Sequence, residues 1–276
     1  LELNTTGDCN VAVGNGALRS NTTADNNTAV GTLASGCNTT GTNNTAVGKT
    51  ALQANTTGGY NVAMGNGSLG LQTTGSSNTA VGWNSGAATT TGARNTFVGG
   101  GSGVGNGASN TTGSDNSFFG NDAGGRNTTG SNQVAVGRDA LLTNTTGNGN
   151  AALGFQSLRA NTTASNNTAV GTNSLLANTT GAENTAIGAL AGDSNTTGSG
   201  NVFIGKEAGQ ANTTASGNVA IGQNTFDANT TGASNTAVGS AALGANTTGA
   251  DNTGIGSNTL EDSTSSTKNS SLGRFA

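Results

Sequence analysis

Apolar and polar residues follow one another along this chain in a 17-residue cycle. The type copy reads N-T-T-G-x-x-N-T-A-V-G-x-x-A-L-x-A, almost unaltered from Asn38 to Ala54. Counting Asn38 as position 1, position 10 is apolar in every copy, from Val13, Val30 and Val47 to Ile255 and Leu272. Position 9 is mostly Ala, with Phe97, Phe118 and Phe203 as exceptions, and position 11 is Gly throughout. β-Branched residues in so short a run favour a strand. An invariant Gly marks a corner with positive φ or close backbone approach. N-T-A-V-G is therefore predicted as a short strand ended by a glycine corner. Positions 8 and 10 share one face of it and position 9 takes the other. The larger residue, at position 10, is expected inside and buried throughout. Position 9 is expected against a neighbouring chain, at Ala46, Phe97, Phe118, Ala169, Phe203 and Ala220. No helix is expected, since no apolar period of 3.6 survives Gly or Asn at almost every fourth residue.

Copies begin at Asn4, Asn21, Asn38, Asn55, Gln72 and Thr89, then at Asn110 and every 17 residues to Ser263. The four residues that break the spacing are assigned to 106–109 and are expected to form a surface bulge. Residues 1–3 are a lead-in to a single repeat domain over 4–276. A repeat this short cannot bury its own apolar face and must stack on its neighbours. The fold expected is an all-β, parallel β-solenoid of about sixteen coils, residue i over residue i+17. Asn at positions 1 and 7 and Thr at positions 2 and 3 are expected to run as hydrogen-bonded ladders along the stack. The last copy, 263–276, lacks Asn at position 1 and Gly at position 4 and reads as a frayed or capping coil.

Charge sharpens the register. After Glu2, every Asp, Glu, Lys and Arg falls at position 5, 6, 12, 13, 16 or 17. Those are read as wet turns and the remainder as buried or stacked. The net charge of −4 is weak and dispersed, so neither nucleic acid nor an anionic membrane is an expected partner. No run is long enough to span a bilayer, and no leader is visible at Leu1. Gly numbers 48 and Pro is absent, yet the glycines do not recur every third residue, which excludes collagen.

Candidate chemistry is sparse. With no His and carboxylates only at turn positions, no catalytic residue, cofactor site or metal site is assigned. Asp122 and Asp139, both at position 13, are read as solvated acids relieved by Arg138 rather than as cation ligands. The N-linked glycosylation pattern N-T-T occurs at Asn4, Asn21, Asn38, Asn55, Asn110, Asn127, Asn144, Asn161, Asn178, Asn195, Asn212, Asn229 and Asn246. A purely structural role in ladders competes with glycosylation at each. An ice-binding Thr face is disfavoured because the two Thr of N-T-T are adjacent and point opposite ways. Trp83, Tyr60 and Phe155 lie at turn positions. Cys9 and Cys37 lie at different places around the coil, so free thiols or an interchain bond are expected rather than an intrachain one.

The core seen at Asn218-Val219-Ala220-Ile221-Gly222 and Asn61-Val62-Ala63-Met64-Gly65 resembles the head repeats of trimeric autotransporter adhesins, whose hallmark is N-S-V-A-I-G-x-x-S. The N-T-T-G segments are similar to repeats of phage and bacterial tail-fibre-type proteins. The resemblance covers nearly the whole chain, with a longer period here and N-T-T-G as the extra segment. It implies a left-handed β-roll, three chains side by side, projecting from a cell or virion. The function expected is a fibre shaft or head outside the cell, with self-association and a cell-surface receptor or glycan as partners. A self-polymerising, glycosylated filament subunit and an ice- or carbohydrate-binding solenoid are the alternatives.

Overall fold

Each copy of the cycle closes one turn of a parallel β-solenoid. The computed structural model describes residues 1–100 and 105–276. They form two units, Leu1–Asp139 and Ala140–Ala276. The first holds strands β1 (Val11–Val13), β2 (Thr28–Val30), β3 (Thr45–Val47), β4 (Val62–Met64), β5 (Thr79–Val81), β6 (Thr96–Val98), β7 (Ser117–Phe119) and β8 (Val134–Val136). The second holds β9 (Ala151–Leu153), β10 (Thr168–Val170), β11 (Thr185–Ile187), β12 (Val202–Ile204), β13 (Val219–Ile221), β14 (Thr236–Val238), β15 (Thr253–Ile255) and β16 (Ser270–Leu272). There is no helix among the described residues. Within each unit successive strands pair in parallel, as in Thr45 with Val62 and Thr168 with Thr185, the expected 17-residue register.

Backbone bonds between coils are not confined to the strands. In the coil from Asn38, Thr45 N donates to Asn61 O at 2.8 Å and Leu52 N to Ser68 O at 2.9 Å. Thr50 N reaches back to Thr32 O at 2.9 Å. To turn so tightly the chain takes left-handed φ at positions 6, 11, 13 and 15, here Asn43 (59°), Gly48 (135°), Thr50 (56°) and Leu52 (51°). Position 11 tolerates no side chain: a Cβ on Gly48 would stand 2.6 Å from Gly65 O. Position 15 is different, because Leu52 accepts left-handed geometry. That conformation costs roughly 1–2 kcal/mol, which burying its whole side chain offsets by about 1.5–3 kcal/mol.

The strand faces are the reverse of those expected from residue size. Position 9 points into the coil: Ala46, Phe97, Phe118, Ala169, Phe203 and Ala220 are all fully buried within the single chain. They cannot be an oligomer contact. Position 10 points out, leaving Val47 and Val170 only half-buried and Met64, Ile187 and Ile255 exposed. The interior is narrow and already lined by the side chains of positions 1, 4, 7 and 14. It admits a methyl at position 9 where position 15 brings a Leu.

The phenylalanines show the same limit. Phe97 lies against Gly86 and Gly107, both at position 15, where an added Cβ would come within 2.5 Å of the ring. Phe203 lies in the same way against Gly192 and Gly209. A ring from position 9 thus fills the space that a Leu from position 15 fills elsewhere. Phe97 and Phe118 stack in neighbouring coils with ring centroids 5.7 Å apart. Expected at a chain–chain contact, they instead fill the core of the single chain.

Register also relocates the insertion. Gly86 N donates to Asn106 O, and Gly107 N to Ala123 O, which makes Asn106–Ser109 an ordinary last turn at positions 14–17. Asn121 Nδ2 bonds Gly100 O at 2.7 Å and Asp122 Oδ1 accepts from Gly105 N at 2.6 Å. Gly100 and Gly105 therefore hold positions 12 and 13, and the four extra residues are 101–104, outside the described residues. The lead-in is likewise part of the stack, since Leu1 N donates to Ala17 O and Leu3 N to Arg19 O, each at 3.1 Å. Glu2 then sits at position 16, a charge position like the others.

Two outcomes test this packing. Phe203→Ala should cost about 3–5 kcal/mol of stability, and adding Gly209→Leu should restore much of it, because the Leu refills the same space. Denaturant melts of both variants decide it. Ser35 is the opposite case, a position-15 residue whose buried hydroxyl has no partner beside Leu18 and Leu52. Since Leu141, Leu158 and Leu175 stack in three consecutive coils, Ser35→Leu should stabilise the fold by about 2 kcal/mol, read from the same melts.

Candidate functional site

The buried asparagines are the most organised polar feature. At position 1, Asn38 Nδ2 donates to Asn21 Oδ1 at 3.1 Å and to Gly41 O at 2.9 Å, and Asn55 Nδ2 repeats both bonds one coil on. In the second unit Asn195 Nδ2 bonds Asn178 Oδ1 at 2.9 Å in the same way. At position 7, Asn44 Oδ1 accepts from Asn61 N at 3.0 Å, while Asn44 Nδ2 donates to Gly58 O at 2.9 Å. Thr39 at position 2 donates its hydroxyl to Thr56 O at 2.9 Å. The Asn ladders and the position 2 Thr ladder are present, whereas the Thr at position 3, expected to form another, lie exposed. Gln72 interrupts one of them: its longer amide bonds Gly75 O and Asn78 Nδ2, leaving Asn55 Oδ1 unpartnered.

These bonds settle what the N-T-T asparagines can do in the folded chain. Twelve of the thirteen, from Asn21, Asn38 and Asn55 to Asn246, are fully buried. Asn4 is half-buried and donates to Gly7 O at 2.9 Å. The nitrogen a sugar would need is inside the coil and bonded, so no glycan fits at these positions. The Thr at position 3 of each N-T-T triplet faces solvent, on the opposite side of the backbone. Residues two apart share a face of a strand, so this split comes instead from the bend that Thr22 and Thr23, and their equivalents in the other copies, make in the backbone.

The surface holds the remaining candidates. Asp122 is bound to Gly105 N, and Asp139 lies 3.4 Å from Arg138 Nε. No group of three or more metal-ligating side chains forms among the described residues. Trp83, Tyr60 and Phe155 are exposed, and Cys9 and Cys37 are free thiols. No helix is long and apolar enough to cross a membrane among the described residues. Arg94 grips Asp115 with two bonds of 2.6 and 2.8 Å and holds its carboxyl below the usual range.

What size-based reasoning missed is the outward face of the strands. Positions 8 and 10 form two parallel rows in each unit, Thr or Val beside Val or Ile, with no charged residue in either row. In the second unit, Ile187, Ile221 and Ile255 are about 40% exposed. The chain places all its charges in turns and none on the outward strand face, which carries mostly hydroxyls at position 8 and apolar side chains at position 10. Geometry and residue set define a repeat solenoid with a charge-free outward sheet face. No protein-family model matches the chain, and no curated protein matches it either.

Two carboxyls in the second unit respond to burial. Asp193 and Asp227, both at position 16 and two coils apart, are pushed above the ordinary value near 3.8 by desolvation, with the Glu207 charge adding to each. A folded value raised above the unfolded one means that stability is full below about pH 3.8 and falls as pH rises through the raised value. Asp193→Asn and Asp227→Asn should therefore raise the melting temperature at pH 7 and leave it unchanged near pH 3. Melts across that range check the sign.

Proposed function

We propose that this chain is a structural element of an extracellular fibre, a shaft or head built to extend and to attach, working as a homo-oligomer. The observation that carries the reading is the charge-free face of positions 8 and 10. Rows of Val and Ile left in water over successive coils are what soluble monomers seldom present. A second copy of this chain is the occupant that matches the face best. Its rows have the same spacing, its coils the same rise of ~4.8 Å, and neither copy brings a charge to desolvate. Three copies are the number implied by the resemblance to adhesin heads, as are the location outside the cell and a receptor or glycan at the attachment end. The reading assigns the chain no catalysis and no cofactor.

Sedimentation velocity on the native chain and on an Ile187→Lys, Ile221→Lys variant tests it. The native chain should sediment as an oligomer and the variant as a monomer with nearly the same melting temperature, because both side chains point outward. A native chain that stays monomeric at micromolar concentration would sink the oligomer. The outward Thr beside Val or Ile also favours a second reading, since it removes the objection that the Thr pair of N-T-T faces two ways. A native monomer that inhibits ice recrystallisation, with activity lost in the same variant, would carry that ice-binding reading instead.

A further inference from the structure

The glycosylation pattern occurs a second time, out of phase with N-T-T. Asn26-Asn27-Thr28, Asn43-Asn44-Thr45 and Asn166-Asn167-Thr168 each run from position 6 to position 8. Here the middle residue is the inward one: Asn27, Asn44 and Asn167 are buried rungs of the position 7 ladder. Because side chains alternate, both outer residues of the triplet then face solvent. Asn26, Asn43 and Asn166 are exposed at left-handed corners with φ of 58°, 59° and 60°. Thr28, Thr45 and Thr168 open the strands on the outward face, half-buried. Asn43 Nδ2 makes a 3.1 Å contact to the neighbouring Thr42 hydroxyl, at the surface.

An enzyme that reads N-x-T must reach the Asn amide and the hydroxyl two residues on from one side. The position 1 triplets split these groups across the backbone, and the position 6 triplets bring them together. Asn66-Gly67-Ser68 is an instructive third case. Asn66 is exposed, but Ser68 is fully buried and its hydroxyl donates to Gly65 O at 3.0 Å, so half the signal is closed.

We propose that Asn26, Asn43 and Asn166 are the N-linked sugar acceptors of the folded chain. The donor is a sugar activated through its anomeric carbon, as a nucleoside diphosphate or a polyprenyl pyrophosphate. Asparagine Nδ2 attacks C1, the C1–O bond breaks and the nucleoside diphosphate or polyprenyl pyrophosphate leaves with the bonding pair. The proton lost from Nδ2 passes to a base of the transferase. No electron changes hands and no other reactant is consumed. The sugar stands clear of the coil, so the ladders beneath it remain intact. The inference does not require the fibre reading but is coupled to it: a copy seated on the outward face would cover the threonines, so the acceptors are open on the unassembled chain.

The test uses the purified full chain, a soluble N-x-T-reading glucosyltransferase and UDP-glucose, with sites mapped by peptide mass. The folded chain should gain hexose at Asn26, Asn43 and Asn166 and none at Asn21, Asn38 or any other N-T-T site. The urea-unfolded chain should gain it at the N-T-T sites as well. The Ile187→Lys, Ile221→Lys variant is run in parallel, because it opens the face if copies cover it. Modification of the three asparagines in either folded protein supports the proposal. Hexose on buried N-T-T asparagines of the folded chain would overturn it. So would folded proteins that both stay bare at these three while the unfolded chain accepts hexose there.

Discussion

A buried asparagine amide must find partners, and in this fold it takes them both from its own coil, as Asn38 does from Gly41 O, and from the coil beside it. The donors and acceptors of positions 1 and 7 meet their counterparts one coil away, at 2.8–3.1 Å for Asn55 to Asn38 and Asn38 to Asn21. Leaving such a group unpaired costs about 1–3 kcal/mol, repeated in coil after coil. The requirement fixes the period. A residue added or lost between positions 1 and 7 would set those amides against the wrong neighbour, whereas extra residues between positions 12 and 13 leave Asn116 N bonded to Asn95 Oδ1. The backbone corners, the glycine at position 11 and the thin core all serve a coil whose circumference the ladders hold constant.

That constraint explains why so much of the fold is legible in the sequence. Period, parallel register, strand position, glycine corner and ladders all follow from which residue types recur at 17. The facing of the strand does not follow, because size is a poor guide when the interior is too thin for it. Val47 is the larger residue and lies outward, while Ala46 lies inside. The pairing of Phe203 with Gly192 and Gly209 was written in the sequence all along, as large-for-small exchange between positions 9 and 15. It becomes visible only once both positions are known to share the core. The insertion was misplaced for a related reason. Asn106 replaces the small residue usual at position 14, so the last turn no longer looked like one, and only its hydrogen bonds restore the count.

The candidate surface was harder to see than the fold. Absence of charge marked both buried and outward positions, since positions 2, 3, 8 and 10 carry none and yet touch solvent. A charge-free position in a globular core means burial. In a solenoid with an apolar outer face it means burial or a contact surface, and composition cannot separate the two. The N-T-T triplets posed the same difficulty in reverse, because a motif that normally marks a surface loop is here the inner wall of the coil. Both confusions end when the inward positions are known.

The turn between positions 11 and 14 carries one last consequence. Gly99 and Gly105 keep their places in the stack on either side of the four extra residues, and Phe97 and Phe118 pack together across the same pair of coils. Foreign sequence at this point therefore leaves the position 7 ladder uncut, with Asn116 N still donating to Asn95 Oδ1 at 3.0 Å. Elsewhere the chain changes length only by whole coils. Here it accepts a guest, which makes this turn the natural port for grafting a recognition loop onto an otherwise uniform scaffold.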